Sequence, residues 1–178
     1  MLYLRPYKKE DAATIISWCE NDNVFRKWTS DRYNSYPITE NDMNYKYYDC
    51  NGDCAEKDNF YPMTACDDTG IAGHFILRYV GGNHKILRIG FVIVDDKKRG
   101  QGYGKEMIKL GIDYDFRIAG AEQITIGVFE NNRPAYHCYK AAGFHDVQTE
   151  QEEICELFGE RWKIIELAIN REEYFYDV

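Results

Sequence analysis

Apolar residues recur along this chain with two periods, and the change of period divides it. Residues 2–6 alternate weakly and predict a first strand. After Lys9-Glu10-Asp11, the residues Ala12, Ile15, Ile16 and Cys19 return at helical spacing, and residues 22–28 predict a second short helix. Residues 33–37 form a loop. Thr39-x-x-Asp42 resembles a capping box with Asp in place of Glu and opens a helix to about Tyr48. Residues 50–59 are polar around Asn51-Gly52-Asp53 and predict a loop. From Phe60 the period becomes two. Residues 60–66, 71–80 and 85–94 predict three strands, joined by Asp67-Asp68-Thr69-Gly70 and Gly81-Gly82-Asn83. Turns this short make the neighbours antiparallel. Met107, Gly111, Tyr114 and Ile118 share a helical face that ends at Gly120, and residues 123–129 predict a strand joined through it by a right-handed crossover. Asn131-Asn132-Arg133-Pro134 opens a short helix stopped by Gly143. Residues 146–155 and 161–169 predict a last hairpin around Phe158-Gly159-Glu160. The pattern predicts one α/β (α+β) domain over residues 1–178, with a mixed, mostly antiparallel sheet flanked by helices on both faces.

The composition narrows the function. With 178 residues and 44% hydrophobic content the chain can bury a core, and no apolar run is long enough to span a bilayer. The first residues, Met1 to Pro6, lack the pattern of a signal peptide, so a cytoplasmic location without membrane attachment is expected. Six cysteines are expected as free thiols, and Cys50-x-x-x-Cys54 lacks the second pair a zinc site needs, so no metal is expected. A net charge of −8 disfavours nucleic acid and is compatible with a cationic acceptor such as an amine, although solubility alone explains it.

The richest chemistry lies in Val92-Ile93-Val94-Asp95-Asp96-Lys97-Lys98-Arg99-Gly100-Gln101-Gly102-Tyr103-Gly104-Lys105. A β-branched strand stops at two acids; a basic patch, three alternating glycines and a helix start follow. Alternate glycines let backbone N–H groups face an anion. The helix dipole and Lys97, Lys98, Arg99 and Lys105 add positive potential. A diphosphate-containing cofactor is therefore expected here. Arg99-x-x-Gly102-x-Gly104 is neither a Walker A loop nor the dinucleotide fingerprint. Glu130 ends the next strand where a ribose-binding acid could sit, but the antiparallel hairpins before the loop argue against a Rossmann domain.

A second motif follows, Asn132-x-x-Ala135-x-x-x-Tyr139-x-x-x-Gly143-Phe144. With both motifs in this order, about thirty residues apart, the chain resembles the GNAT superfamily of acetyl-coenzyme-A-dependent N-acetyltransferases. The close match runs from about Arg88 to Phe144, and Arg161 to Leu167 looks like the last strand of the branch that contains ribosomal-protein N-terminal acetyltransferases. The resemblance implies a splayed sheet and acetyl-CoA as donor. It implies that Val92, Ile93 and Val94 offer backbone to the pantetheine arm as an added strand would. Arg99, Gly100, Gln101, Gly102, Tyr103, Gly104 and Lys105 would bind the pyrophosphate, and Asn132 would contact the pantetheine or cap its helix. Tyr139 would stand near the sulfur; an amine attacks the thioester carbonyl, a backbone N–H near Val92 stabilises the oxyanion, and the phenol protonates the departing thiolate.

Structural roles compete with these. Tyr139 also lies on a stripe with Ala135, Cys138 and Ala142, and Gly143 is a helix stop. Many relatives carry a glutamate base on the strand before or after the loop, where this chain has Arg88 and Gly127. The base stays open among Glu130, Asp31 and water. The acceptor pocket is expected among Phe25, Trp28, Tyr33, Tyr36, Tyr45, Tyr47, Tyr48 and Trp162, with Asp31, Glu40 and Asp42 as candidate partners of a positive charge. The expected activity is acetyl transfer to a primary amine: a protein N-terminus, a polyamine, an aminoglycoside or another small amine. A homodimer through hairpin edges is compatible with such a fold. A non-catalytic acyl-CoA sensor and a nucleotide-binding module are the alternatives.

Overall fold

The computed structural model describes residues 1–176. Its frame is one eight-stranded sheet: β1 (Tyr3–Pro6), β2 (Tyr61–Asp67), β3 (Gly70–Val80), β4 (Asn83–Val94), β5 (Gln123–Phe129), β6 (His145–Asp146), β7 (Glu153–Leu157) and β8 (Glu160–Asn170). The order is β1-β2-β3-β4-β5-β8-β6, with β7 also on β8. Only β4 and β5 pair in parallel; the other neighbours are antiparallel, as their short connections require. The helices are α1 (Ala12–Ser17), α2 (Asp22–Thr29), α3 (Glu40–Asn44), α4 (Tyr103–Arg117), α5 (Arg133–Ala142) and α6 (Arg171–Tyr176).

Strand alternation divides the core in two. Phe75, Leu77, Leu87, Ile89, Ile124 and Ile126 face α4 and α5. Ile76 and Ile93 face the other side, where Ile15, Phe25, Trp28 and Met43 of α1–α3 cover them. Each such side chain contributes roughly 1.5–3 kcal/mol by burial. Asp11 ties α1 to the sheet edge: it accepts from Arg5 at 2.7 and 2.8 Å, from the Lys8 N–H at 2.9 Å and from Thr64 Oγ1 at 3.0 Å.

Several sequence expectations shift. The Thr39–Asp42 capping box forms, but α3 ends at Asn44 and a π turn, Tyr45–Asp49, carries the chain on. Residues 147–152 are not strand, so the expected 146–155 strand is two short pieces, β6 and β7, both on β8. The buried face of α4 is Met107, Ile108, Gly111, Ile112, Asp115 and Phe116. Tyr114 and Ile118 are exposed, at 39% and 71%. A polar residue at 115 hid the continuation of the true stripe.

Candidate active site

The two parallel strands separate partway along. Their last pair is Ile89 with Ile126. Beyond it β4 stays with β3, pairing Val94 with Gly73, while β5 stays with β8, pairing Phe129 with Ile164. The Val92–Val94 edge that faces β5 is left without a strand partner. One extra residue in β4 marks the separation: His74 pairs with Ile93, but Ile76 pairs with Gly90, and Phe91 between them has φ 47°. The Trp28 indole N–H donates to the Phe91 carbonyl at 2.9 Å and holds this bulge. A cavity of about 680 Å³ opens over the gap, its wall including Trp28, Phe91, Val92, Gly127, Asn132 and Tyr139.

The glycine loop closes one end of the frame. A 3-10 turn, Asp96–Lys98, is capped by Asp95, which accepts from the Lys97 N–H at 3.0 Å. Gly100 and Gly102 take φ of 74° and 88°, which L residues resist, and open space lies beside both. The first α4 backbone bond runs from Glu106 N to Gly102 O, so the N–H groups of Tyr103, Gly104 and Lys105 lack intrahelical acceptors. Gly104 lets α4 and α5 approach closely, since a Cβ there would stand 3.2 Å from Cys138 Sγ on α5. Four side chains of the loop are held by the protein itself. Lys98 donates to Asp67 at 2.6 Å, and Tyr103 donates to the same carboxylate at 2.9 Å. Arg99 donates to the carbonyls of Val94 at 3.1 Å and Trp18 at 2.9 Å, and Gln101 to that of Lys97 at 2.7 Å. These side chains hold the loop; the main-chain N–H groups, the helix dipole and the charges of Lys97 and Lys105 are what it offers an anion. A smaller hollow of about 240 Å³ continues from Gly102 and Lys105 along α4.

From α5 come Asn132 and Tyr139. Asn132 is at the N-cap position, but its side chain caps nothing and belongs to the cavity wall instead. Tyr139 serves core and cavity at once; it is 6% exposed, and burial pushes its phenol above the ordinary tyrosine value. It therefore stays protonated through the neutral range.

On the floor, the two positions without a glutamate are accounted for together. Arg88 forms a two-point pair with Glu166 of β8; its second contact, Nη2 to Oε2, is 3.1 Å. Glu166 lies opposite Gly127 in register, and a Cβ on Gly127 would come within 2.6 Å of the Arg88 guanidinium. The glycine is the space the guanidinium uses. Among the candidate bases, Asp31 is on the cavity wall beside Arg32, at 3.9 Å, and Glu130 is exposed and outside the lining. The expected aromatic pocket is largely core. Phe25, Tyr33 and Tyr47 are buried under α1–α3, Tyr45 and Tyr48 face solvent, and Trp162 packs on Phe129. Of that set Trp28 alone lines the cavity, joined by Phe60, Tyr79, Phe91 and Phe129. Asp42 is spent on its capping box.

A splayed mixed sheet, with a glycine loop at a helix start and a phenol beside the gap, defines an acyl-CoA-dependent transferase fold. Comparison with known proteins agrees. Residues 1–145 match the model of the acetyltransferase (GNAT) domain, and the chain belongs to that family. It is 26% identical over 174 residues to a spermidine N(1)-acetyltransferase of Escherichia coli K12, covering 96% of this chain and 87% of the relative. It is 27% identical over 148 residues to a probable N-acetyltransferase, YjcK, of Bacillus subtilis, covering 81% and 80%. The fold superposes on the crystal structure of spermidine N-acetyltransferase from Vibrio cholerae in complex with CoA and spermine, with a TM-score of 0.79 at 20% identity and 98% coverage of both chains. The chain is thus an N-acetyltransferase with acetyl-CoA as donor. The sensor and nucleotide-module alternatives fall away. Among the described residues no helix is long and apolar enough to cross a membrane.

Proposed function

We propose that residues 1–178 act as one acetyltransferase domain that acetylates a small-molecule or peptide amine by direct attack within a ternary complex. The observation that carries this is the gap between β4 and β5, with a free strand edge on one side and Tyr139 in the wall of the same cavity. Bound acetyl-CoA supplies an acyl group activated as a thioester. Three features fit it: the unpartnered Val92–Val94 edge suits the amide-bearing pantetheine arm, the loop from Arg99 to Lys105 presents N–H groups to a pyrophosphate, and the Asn132 amide, which makes no side-chain hydrogen bond among the described residues, belongs to the wall. Tyr139 keeps its proton until a thiolate needs it and acts as the general acid. Holding both reactants in one cleft lowers the barrier further. The relatives named for spermidine support a primary amine as the acceptor class.

The test is acceptor-dependent thiol release from acetyl-CoA, using spermidine, N-terminal peptides, an aminoglycoside and simple amines. Tyr139→Phe should lower kcat by roughly 10²-fold or more while CoA still raises the melting temperature. Release undiminished in the variant would remove Tyr139 from the mechanism.

A further inference from the structure

Strand pairing sets two arginines side by side on the cavity floor. Arg78 of β3 lies directly opposite Arg88 of β4, and both line the cavity. Like charges opposite each other across an antiparallel pair destabilise the sheet. Arg88 is neutralised by Glu166. Arg78 is not: it is half-buried and, among the described residues, has neither a hydrogen bond nor an ion pair. Burial, then the neighbouring Arg88, pushes its pKa down, and the smaller opposing pull of Cys54 and of Glu166, the carboxylate already bound to Arg88, does not reverse this. Arg32 adds a third positive charge near it in the same wall.

Of the acids around the cavity, Asp31 stands exposed on the wall 3.9 Å from Arg32 and reaches that guanidinium, not Arg78; the others are engaged elsewhere or peripheral. Asp53 pairs with Lys46, and Glu56 accepts from His84 at 3.1 Å and Asn59 at 3.3 Å. Glu153 and Glu156 are exposed on β7. A polycation brought to this floor would meet an uncompensated guanidinium.

We propose that Arg78, with Arg32, forms a carboxylate subsite, so that the acceptor is a primary amine that also carries a carboxylate. The guanidinium fork matches a carboxylate in two parallel hydrogen bonds and offsets its own desolvation by doing so. This rests on the transferase reading above and narrows its acceptor to amino-acid-like amines, free or at a peptide terminus.

The experiment measures kcat/KM for glycine, β-alanine, lysine and triglycine, each beside its carboxamide, and for spermidine. Carboxylates should exceed their carboxamides and spermidine by roughly 10-fold or more, the scale of a charged hydrogen-bonded contact. In Arg78→Gln that ratio should collapse toward one through KM, and Arg78→Lys should restore part of it; the rise in melting temperature on adding CoA verifies that each variant is folded. The triglycine arm separates a peptide terminus from a free amino acid. Equal rates for carboxylate and carboxamide, a preference for spermidine, or a ratio that survives Arg78→Gln would each overturn the subsite and leave the transferase standing. Absence of turnover with every amine would instead strike the transferase reading. Calorimetry with N-acetylglycine then tests the subsite alone: binding lost in Arg78→Gln supports it, and no binding to the parent protein overturns it.

Discussion

Replacing Asp115 with Asn should stabilise the protein, and by an amount that grows with pH. Asp115 is fully buried on α4, and neither carboxylate oxygen has a partner among the described residues. Burial pushes its pKa up to about 8, whereas an unfolded aspartate titrates near 3.9. The folded chain therefore holds a proton that the unfolded chain releases. Because the folded value is the higher one, stability is greatest below about pH 4 and declines until the pH passes about 8. Each unit is worth about 1.4 kcal/mol, so the three units between the ordinary value and neutrality cost at most about 4 kcal/mol. Asn copies the shape of the protonated acid without this penalty, and its extra amide hydrogens add only a pH-independent offset. His74 acts in the opposite direction: burial lowers it to about 3, so its contribution is present above the ordinary value near 6.5 and fades as the pH falls. It is present in both proteins and cancels in their difference. Urea unfolding of the two, in steps from about pH 5 to pH 8, should show the difference widening by about 1.4 kcal/mol per unit up to about pH 7 and levelling off beyond it. A difference independent of pH would refute the claim that the folded state holds a neutral Asp115.

Trp28→Phe removes the indole donor from the Phe91 carbonyl, and kcat/KM for acetyl-CoA should fall roughly 10-fold, read by thiol release. A variant with the parent kinetics would show that the bulge stands without it. Gly102→Ala forces a φ of 88° on an L residue at a cost of about 1–2 kcal/mol; the weaker CoA affinity that follows is measured by calorimetry. In Gly127→Ala the new Cβ would crowd the Arg88 guanidinium at 2.6 Å and displace it from Glu166, lowering unfolding stability by about 1–3 kcal/mol. Parent-like urea unfolding would mean the arginine moves aside freely.

Where the chemistry is carried by backbone, the sequence was legible. Alternate glycines and the Asn132–Phe144 spacing mark loop and helix because each demands a local conformation, and the structure has positive φ at Gly100, Gly102 and Gly143. The strands from Phe60 to Val94 were legible from their period and turns. Long-range pairing was not. That Arg88 meets Glu166, 78 residues on, depends on β8 inserting beside β5, and no local pattern encodes that. The aromatic residues from Phe25 to Tyr48 misled for a related reason: Tyr47 hydrogen-bonds His74 at 2.8 Å inside the core, and sequence alone does not distinguish an aromatic that lines a cleft from one that fills it. Phe91 gave no signal, because a bulky residue at positive φ is what propensity argues against.

That unsignalled residue accounts for the cleft. Without the extra residue at Phe91, β4 and β5 could continue their ladder past Ile89 and Ile126, and the sheet would close. The bulge turns β4 toward β3, β8 draws β5 the other way, and Trp28 from the opposite layer fixes the Phe91 carbonyl. Strained backbone costs of order 1–3 kcal/mol and persists where surrounding contacts over-determine it. Here those contacts come from the buried face of α2, so the helices that cover one side of the sheet also hold the gap open. The floor follows the same logic. With the sheet split beyond this point, Glu166 reaches over Gly127 to Arg88, and the charge on Arg78 is left facing the cavity.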